Sequence, residues 1–115
     1  MRFTLTLGII AIAGMALAGC GEAEKTTADR IEDIAALTGN TANGEAVFAD
    51  KCSVCHGPQG EGKGSTPAMS QAVDGRSDDD LFTGLIDGIG SMPAMGSQLS
   101  DQEIADVVAF IKLPN

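Results

Sequence analysis

The sequence predicts an all-α fold of about three main helices joined by long loops. Three segments carry apolar residues at helical spacing, two of them behind a capping residue, and the Gly-rich stretch between the first two shows no strand pattern. Beyond the N-terminal segment the only aromatic residues are Phe48, Phe82 and Phe110, with no Trp or Tyr. A domain this small usually needs a disulfide, a metal or a cofactor to be stable, so something other than aromatic packing is expected at its centre.

The first two helices flank the Gly-rich stretch. The first is predicted over about residues 42–51, with Val47 and Phe48 on its apolar side. The second follows Arg76, where Ser77 is a natural N-cap and the aspartates after it suit the positive end of the helix dipole. This helix is expected to end at Gly88 or Gly90.

The third helix has the clearest pattern. Ser100 and Glu103 have the spacing of a capping box. Four apolar residues follow at i, i+3, i+4 and i+7, namely Ile104, Val107, Val108 and Ile111. Pro114 marks the end of the helix, and no internal repeat is visible in the chain.

Residues 1–19 have the layout of a secretory signal peptide. Arg2 gives a positive start, an uncharged and mostly apolar run follows, and the small residues of "LAGC" close it. This ending resembles a bacterial lipoprotein signal, in which the cysteine, here Cys20, is acylated and becomes the first mature residue. The alternative is a retained membrane anchor, although the run falls short of the ~20 residues that a spanning helix needs. We therefore expect an exported protein, anchored by lipid on the periplasmic side of the inner or the outer membrane.

The remaining chain divides into residues 20–40, a lipidated N-terminus and tether, and residues 41–115, a single domain. The tether is weakly amphipathic around Ile31, Ile34 and Leu37, which indicates a short helix near its end. Loss of Arg2 with the signal leaves the mature chain more negative than the −9 of the full sequence. This charge argues against nucleic acid and favours partners with a basic docking face.

The stretch Cys52-Ser53-Val54-Cys55-His56 contains the only histidine of the chain and two of its three cysteines. Its C-x-x-C-H spacing is typical of c-type haem attachment. Two cysteines three residues apart lie on about one helical turn, so both thiols can add to the vinyl groups on one side of a porphyrin. His56 then falls under the iron as an axial ligand, and one covalent haem c would fill the centre of the domain.

Three other interpretations of this stretch are weaker. A zinc site needs four ligands, and the chain offers nothing comparable to Cys52, Cys55 and His56 elsewhere. A thioredoxin-like redox pair needs a βαβ context, which is absent from the pattern. A chance pair of structural cysteines in an exported protein is the third alternative.

With this motif and layout, the chain resembles the small monohaem class I cytochrome c family of bacteria over roughly residues 41–113. In "GEAVF", Gly44 and Phe48 match the family's glycine followed four residues later by an aromatic residue. The resemblance implies the class I cytochrome c fold, in which this glycine would let the first helix approach the last. Phe48 and Phe110 would pack near that crossing, although ordinary core packing predicts the same contact.

The resemblance also implies a methionine as the sixth iron ligand, in a loop before the last helix. Met92 is followed by proline as in the family, and Met95 is the alternative, although it would otherwise pack on the porphyrin edge. Met69 is a third candidate, at a place where the family has an apolar residue against the haem. Pro67 resembles the family proline whose carbonyl accepts a hydrogen bond from the histidine ring and so fixes its orientation. An ordinary loop proline is the alternative for Pro67.

The function implied by the resemblance is that of a one-electron carrier. It would pass electrons between redox proteins as a monomer, with no catalytic residues of its own. The alternatives are a haem sensor or ligand-binding module whose methionine is weak or displaced, and a cytochrome subunit of a larger redox enzyme.

Overall fold

The computed structural model describes residues 25–114, so the predicted signal peptide and Cys20 lie outside the described residues. In this range the chain is helical, and its extended pairing is limited to two isolated β-bridges. The helices are α1 (Thr27–Ala35), α2 (Thr41–Lys51), α3 (Ser53–His56), α4 (Met69–Ala72), α5 (Asp78–Asp87) and α6 (Asp101–Ile111). Among residues 25–114 no helix combines the length and the apolar character that crossing a membrane requires.

The three main helices predicted from the sequence are α2, α5 and α6. Helix α5 begins behind Ser77, whose hydroxyl accepts a hydrogen bond from the Asp80 N–H at 3.2 Å, and Gly88 caps its end. Helix α6 begins behind the predicted capping box, in which the Ser100 hydroxyl accepts from the Glu103 N–H at 3.1 Å. The four apolar residues of its predicted stripe are all buried in the core. The helical part of the prediction is confirmed.

Helices α2 and α6 cross at a glycine. A Cβ placed on Gly44 would lie 2.0 Å from the carbonyl oxygen of Asp106, so only glycine permits this approach. Beside the crossing, the rings of Phe48 and Phe110 pack with their centroids 5.4 Å apart at a tilt of 57°. Both expectations about this crossing are confirmed, and the crossing fixes the start of α2 against the middle of α6.

The carboxylate of Asp106 also ties α2 to α6. It is 2% exposed and accepts hydrogen bonds from the Asn40 N–H at 2.7 Å, the Asn43 amide at 2.6 Å and the Gln102 amide at 2.8 Å. Burial by itself raises the pKa of Asp106, but the bonds from Asn40, Gln102 and Asn43 outweigh it, and the pKa lies below its ordinary value. The buried charge is therefore compensated by three donors.

Helix α1 changes the predicted tether. The short helix expected near the end of residues 20–40 is present, but it packs on α5 and α6 as part of the domain. Ile34 from this helix is 1% exposed and belongs to the core cluster, while Ile31 packs against that cluster. Residues 27–35 are therefore part of the folded unit. The helix is docked by burial of this apolar pair and also by polar contacts, which the spacing of apolar residues in the sequence does not reveal.

Candidate haem site

The two cysteines and the histidine of the C-x-x-C-H motif lie on one short helical turn. Helix α2 ends at Lys51 and is capped by Cys52, whose N–H donates to the Phe48 carbonyl at 2.8 Å, and α3 follows at once. The N–H groups of Cys55 and His56 both donate to the Cys52 carbonyl, at 3.2 and 3.0 Å. Gly57, with φ +82°, then turns the chain away. This turn brings both thiols and the imidazole to the wall of one cavity, as the spacing predicts.

The cavity has a volume of about 410 Å³ and is lined mainly by apolar side chains. Its walls come from the C-x-x-C-H turn, from two Gly-rich loops, and from the inner faces of α5 and α6. Leu81, Leu85, Val107 and Ile111 of the core all face it. An apolar cavity beside two free thiols and an imidazole has the chemistry that a covalently bound porphyrin requires.

Burial shifts the pKa of two groups in the motif. It raises the pKa of the Cys52 thiol to about 11, which keeps this thiol protonated in the haem-free protein. It lowers the pKa of His56, which favours the neutral imidazole, the form that binds a metal. Cys55, by contrast, is exposed.

The His56 ring packs against an aromatic ring, but one of its nitrogens has no hydrogen-bond partner in the part of the chain that the structure describes. Its centroid lies 6.2 Å from that of Phe48, and its Nδ1 atom is buried without a hydrogen-bond partner among the described residues. A buried polar atom without a partner costs roughly 1–3 kcal/mol. Pro67 lines the same cavity, but the structure contains no hydrogen bond from Nδ1 to its carbonyl, so that bond stays a prediction.

The sequence contains a short repeat that our sequence analysis missed. Residues 62–69 read "GKGSTPAM" and residues 88–95 read "GIGSMPAM", identical at six of eight positions. We call these segments loop A and loop B. The common pattern G-x-G-S-x-P-A-M is the signal that could have been found.

Loops A and B have the same backbone plan. Each closes with a β-bridge between its second and fifth residues, Lys63 with Thr66 and Ile89 with Met92. The two glycines of each loop, at its first and third positions, have positive φ angles, +89° and +54° in loop A and +82° and +56° in loop B. A Cβ on the first glycine would lie 2.7 Å from the Thr66 carbonyl oxygen in loop A and 2.6 Å from that of Met92 in loop B, so both turns require glycine there.

The repeat separates the three candidate methionines by position. Met69 and Met95 are equivalent, each 8% exposed, and their N–H groups donate at 2.8 Å to the Gly60 and the Leu85 carbonyl respectively. Met92 is equivalent to Thr66, and both line the cavity. All three methionines line the cavity, but Met69 and Met95 are buried at the ends of the loops, whereas Met92 is half-buried at the middle of loop B.

Although the chain as a whole is negative, the charged side chains that line the rim of the cavity are positive. Lys51 and Arg76 line it, and within residues 25–114 no carboxylate does. The acidic residues in the first turn of α5, by contrast, are exposed, and Asp78 there pairs with Lys112. The rim is therefore the part of this acidic molecule that offers cations to an anionic group inside the cavity.

Taken together, the C-x-x-C-H turn, the apolar cavity and the glycine-mediated crossing of α2 and α6 define a small monohaem c-type cytochrome of the class I fold. The family model described as cytochrome c oxidase, cbb3-type, subunit III matches residues 39–111. This match covers more than half of the chain, and the protein belongs to this cytochrome c family. Like its cytochrome relatives, it carries one covalently attached haem c.

Its relatives include proteins of two sizes. A cytochrome c6 from Diacronema lutheri is 32% identical over 81 residues, which are 64% of this chain and 94% of the relative. A thiosulfate dehydrogenase from Psychrobacter arcticus is 38% identical over 84 residues, which are 64% of this chain but only 26% of that protein's length. The solved structure of cytochrome c6 from the diatom Phaeodactylum tricornutum matches with a TM-score of 0.56 at 30% identity, covering 64% of this chain and 91% of that one.

Proposed function

We propose that the protein is a one-electron carrier with His56 and Met92 as the axial ligands of its haem. The observation that carries this proposal is that the C-x-x-C-H turn and Met92 line one apolar cavity, with Met92 at the middle of loop B. Met69 and Met95 also line this cavity, but they are buried at the loop ends. The haem, when bound, supplies a one-electron iron couple. It would be held through thioether bonds from Cys52 and Cys55, without catalytic residues of the protein's own.

The chain's own residues determine how this couple behaves. The neutral imidazole of His56 gives a nitrogen ligand, and the soft thioether of Met92 favours reduced iron and raises the potential. Apolar side chains around the cavity exclude water, and Arg76 and Lys51 offer positive charge to the propionates at the rim. The hydrogen bond from the His56 ring to the Pro67 carbonyl, once formed, would supply the missing partner of Nδ1.

The absorption spectrum of the oxidised protein tests the ligand assignment. Iron–methionine ligation gives a weak far-red band, which we expect in the wild type and expect Met92→Ala to abolish. Met95→Ala and Met69→Ala are the matched controls, because both methionines are buried at equivalent ends of the two loops; on this proposal they should keep the band. A band that survives Met92→Ala would move the ligand to Met95 or Met69. A wild type without the band would favour an open iron and a sensor or ligand-binding function.

The redox partners are proposed from charge. The formal charge of −9 favours partners with a basic docking face, and such a face would contact carboxylates beyond the Lys51 and Arg76 rim. Electron transfer with such a partner should slow steeply as salt rises from 0.01 to 0.15 M, because attraction between opposite charges is screened. A rate that is flat or rises with salt would contradict the proposed partner.

We further propose export and lipid attachment at Cys20, with residues 21–26 as the link to α1 and the folded domain as a monomer. Cys20→Ser should release the protein from the membrane fraction into the soluble periplasmic extract without changing the haem spectrum. Mass spectrometry of the mature wild type should show the acyl groups on its first residue. Sedimentation of the soluble variant at the mass of a dimer would contradict the monomer.

A cytochrome subunit of a larger redox enzyme is the second candidate function. It is favoured by the thiosulfate dehydrogenase relative, of which this chain matches only 26%. Purification from the native membrane in a fixed ratio with a larger protein would support this function. A haem protein that elutes alone, and exchanges electrons with several partners, would support the free carrier.

A further inference from the structure

Helix α1 contacts both ends of loop B. At the first end, the Thr27 hydroxyl donates at 2.8 Å to the carboxylate of Asp87, the residue immediately before the loop. At the far end, Arg30 donates from Nη1 to the Gly96 carbonyl at 2.6 Å and from Nη2 to the Leu99 carbonyl at 3.0 Å. One helix thus joins the residues that enter and leave the segment carrying Met92.

Arg30 has a largely buried guanidinium whose donors are paired with acceptors. Its side chain is 16% exposed, and its Nε also donates to the Asp101 carboxylate at 2.8 Å, so three donors meet three acceptors. Gly96 makes room for it, since a Cβ there would lie 2.9 Å from Nη1. The planar guanidinium presents these donors in one fixed fork, a geometry that a lysine ammonium does not reproduce.

The peptide behind Met95 is held from two sides. The Gly96 N–H donates to the Ile86 carbonyl at 3.2 Å, while its carbonyl accepts from Arg30. The Met95 N–H donates to the Leu85 carbonyl at 2.8 Å. Without Arg30, α5 alone would hold this end of loop B.

We propose that α1 is a strap that positions loop B, with Arg30 and Thr27 as positioning residues for Met92. The strap lies outside residues 39–111, the range that matches the family model. A ligand on an ordered loop does not have to lose loop entropy when it binds iron, and therefore competes better against a ligand from solution. The inference rests on the proposed Met92 ligation.

Imidazole competition in the full-length oxidised holoprotein tests the strap. Imidazole displaces the methionine, and its apparent affinity reports how easily loop B opens. We expect Arg30→Ala to raise this affinity by roughly tenfold, because bonds from a charged donor hold the closed loop, and Thr27→Val to raise it by about two- to fivefold. Arg30→Lys should fall between Arg30→Ala and the wild type. Glu32→Ala, at an exposed position of the same helix, is the matched control and should not change it.

Amide hydrogen exchange gives a second reading that does not depend on the iron. Exchange at Gly96 should be faster in Arg30→Ala than in Glu32→Ala. If Arg30→Ala fails to take up haem, Thr27→Val decides, since it removes one bond at nearly constant shape. The positioning role of the strap would be overturned, and the Met92 ligation kept, by one result. In a protein that shows the far-red band, Arg30→Ala and Thr27→Val would bind imidazole with the same affinity as Glu32→Ala. A wild type without the band would overturn the Met92 ligation and the strap together.

Discussion

Replacing Gly44 by alanine tests the crossing of α2 and α6 more directly than any core truncation. Intrinsic helix propensity favours alanine over glycine by about 1 kcal/mol, so an isolated α2 would be stabilised. In the folded protein the new Cβ would lie 2.0 Å from the Asp106 carbonyl oxygen and 2.9 Å from the Phe110 Cβ. The first of these neighbours is main chain of another helix and cannot rotate away.

The magnitude follows from the movement that the clash requires. The two helices have to separate by about 1 Å, and overpacking of this kind costs roughly 1–3 kcal/mol or more. Separation also weakens the packing of Phe48 on Phe110, a contact of the kind worth about 0.5–1.5 kcal/mol. Less the gain in propensity, we expect the free energy of unfolding to fall by about 0.5–3.5 kcal/mol and Tm by roughly 4–8 °C for each kcal/mol lost.

Denaturant titration of the holoprotein, followed by far-ultraviolet circular dichroism, measures this change. Ala46→Gly, at an exposed position of α2, is the matched control and reports propensity alone, with an expected loss of about 1 kcal/mol. The reasoning is refuted if Gly44→Ala proves as stable as the wild type or more stable. Such a result would mean that α2 and α6 can move apart at no cost.

Two further predictions concern titratable groups. Asp106→Asn should lower the free energy of unfolding by about 1–3 kcal/mol at pH 7, because the hydrogen bonds that the carboxylate accepts are weakened. Since the fold lowers the pKa of Asp106, its stabilising effect is present above the unfolded carboxyl pKa of about 3.9 and is lost as pH falls through the lower folded value. Urea titrations at pH 7 and pH 3 should therefore show a smaller difference between variant and wild type at pH 3, and an equal difference would contradict this. In the haem-free protein at pH 8, iodoacetamide should label the exposed Cys55 well before Cys52, whose pKa is raised to about 11; mass spectrometry of timed samples checks the order, and equal rates would disprove it.

The sequence was most informative where structure is locally determined. Ser77 and Ser100 cap their helices with bonds to residues three positions ahead, so both starts could be predicted from a few letters. The one-turn helix α4 was not predicted, because four residues are too few to show a period. Helix α1 was identified as a weak helix but assigned to a tether. Its docking combines burial of Ile34 with hydrogen bonds from Arg30 to distant carbonyls, and such bonds leave no trace in an apolar pattern.

The candidate site divides in the same way. Cys52, Cys55 and His56 are neighbours in sequence, and their joint placement on one turn follows from spacing. The cavity wall is formed by residues distant in sequence, so the burial of Met95 and the equivalent burial of Met69 became visible only in the structure. The repeat could have been found in the sequence, but its two copies are separated by residues 70–87, which include α5 and do not resemble either copy.

Loops A and B frame the cavity with one backbone design used twice, and they differ at two of eight positions, Lys63 against Ile89 and Thr66 against Met92. Thr66 and Met92 occupy the same place in this design, so with Met92 as the proposed ligand the coordination of the iron could be altered without altering the frame. Met92→Thr would make loop B match loop A at that place and remove the thioether while leaving the bridge and both turn glycines intact. On the proposed ligation, the geometry of the cofactor cradle and the choice of the metal ligand would be two independently variable properties of this protein.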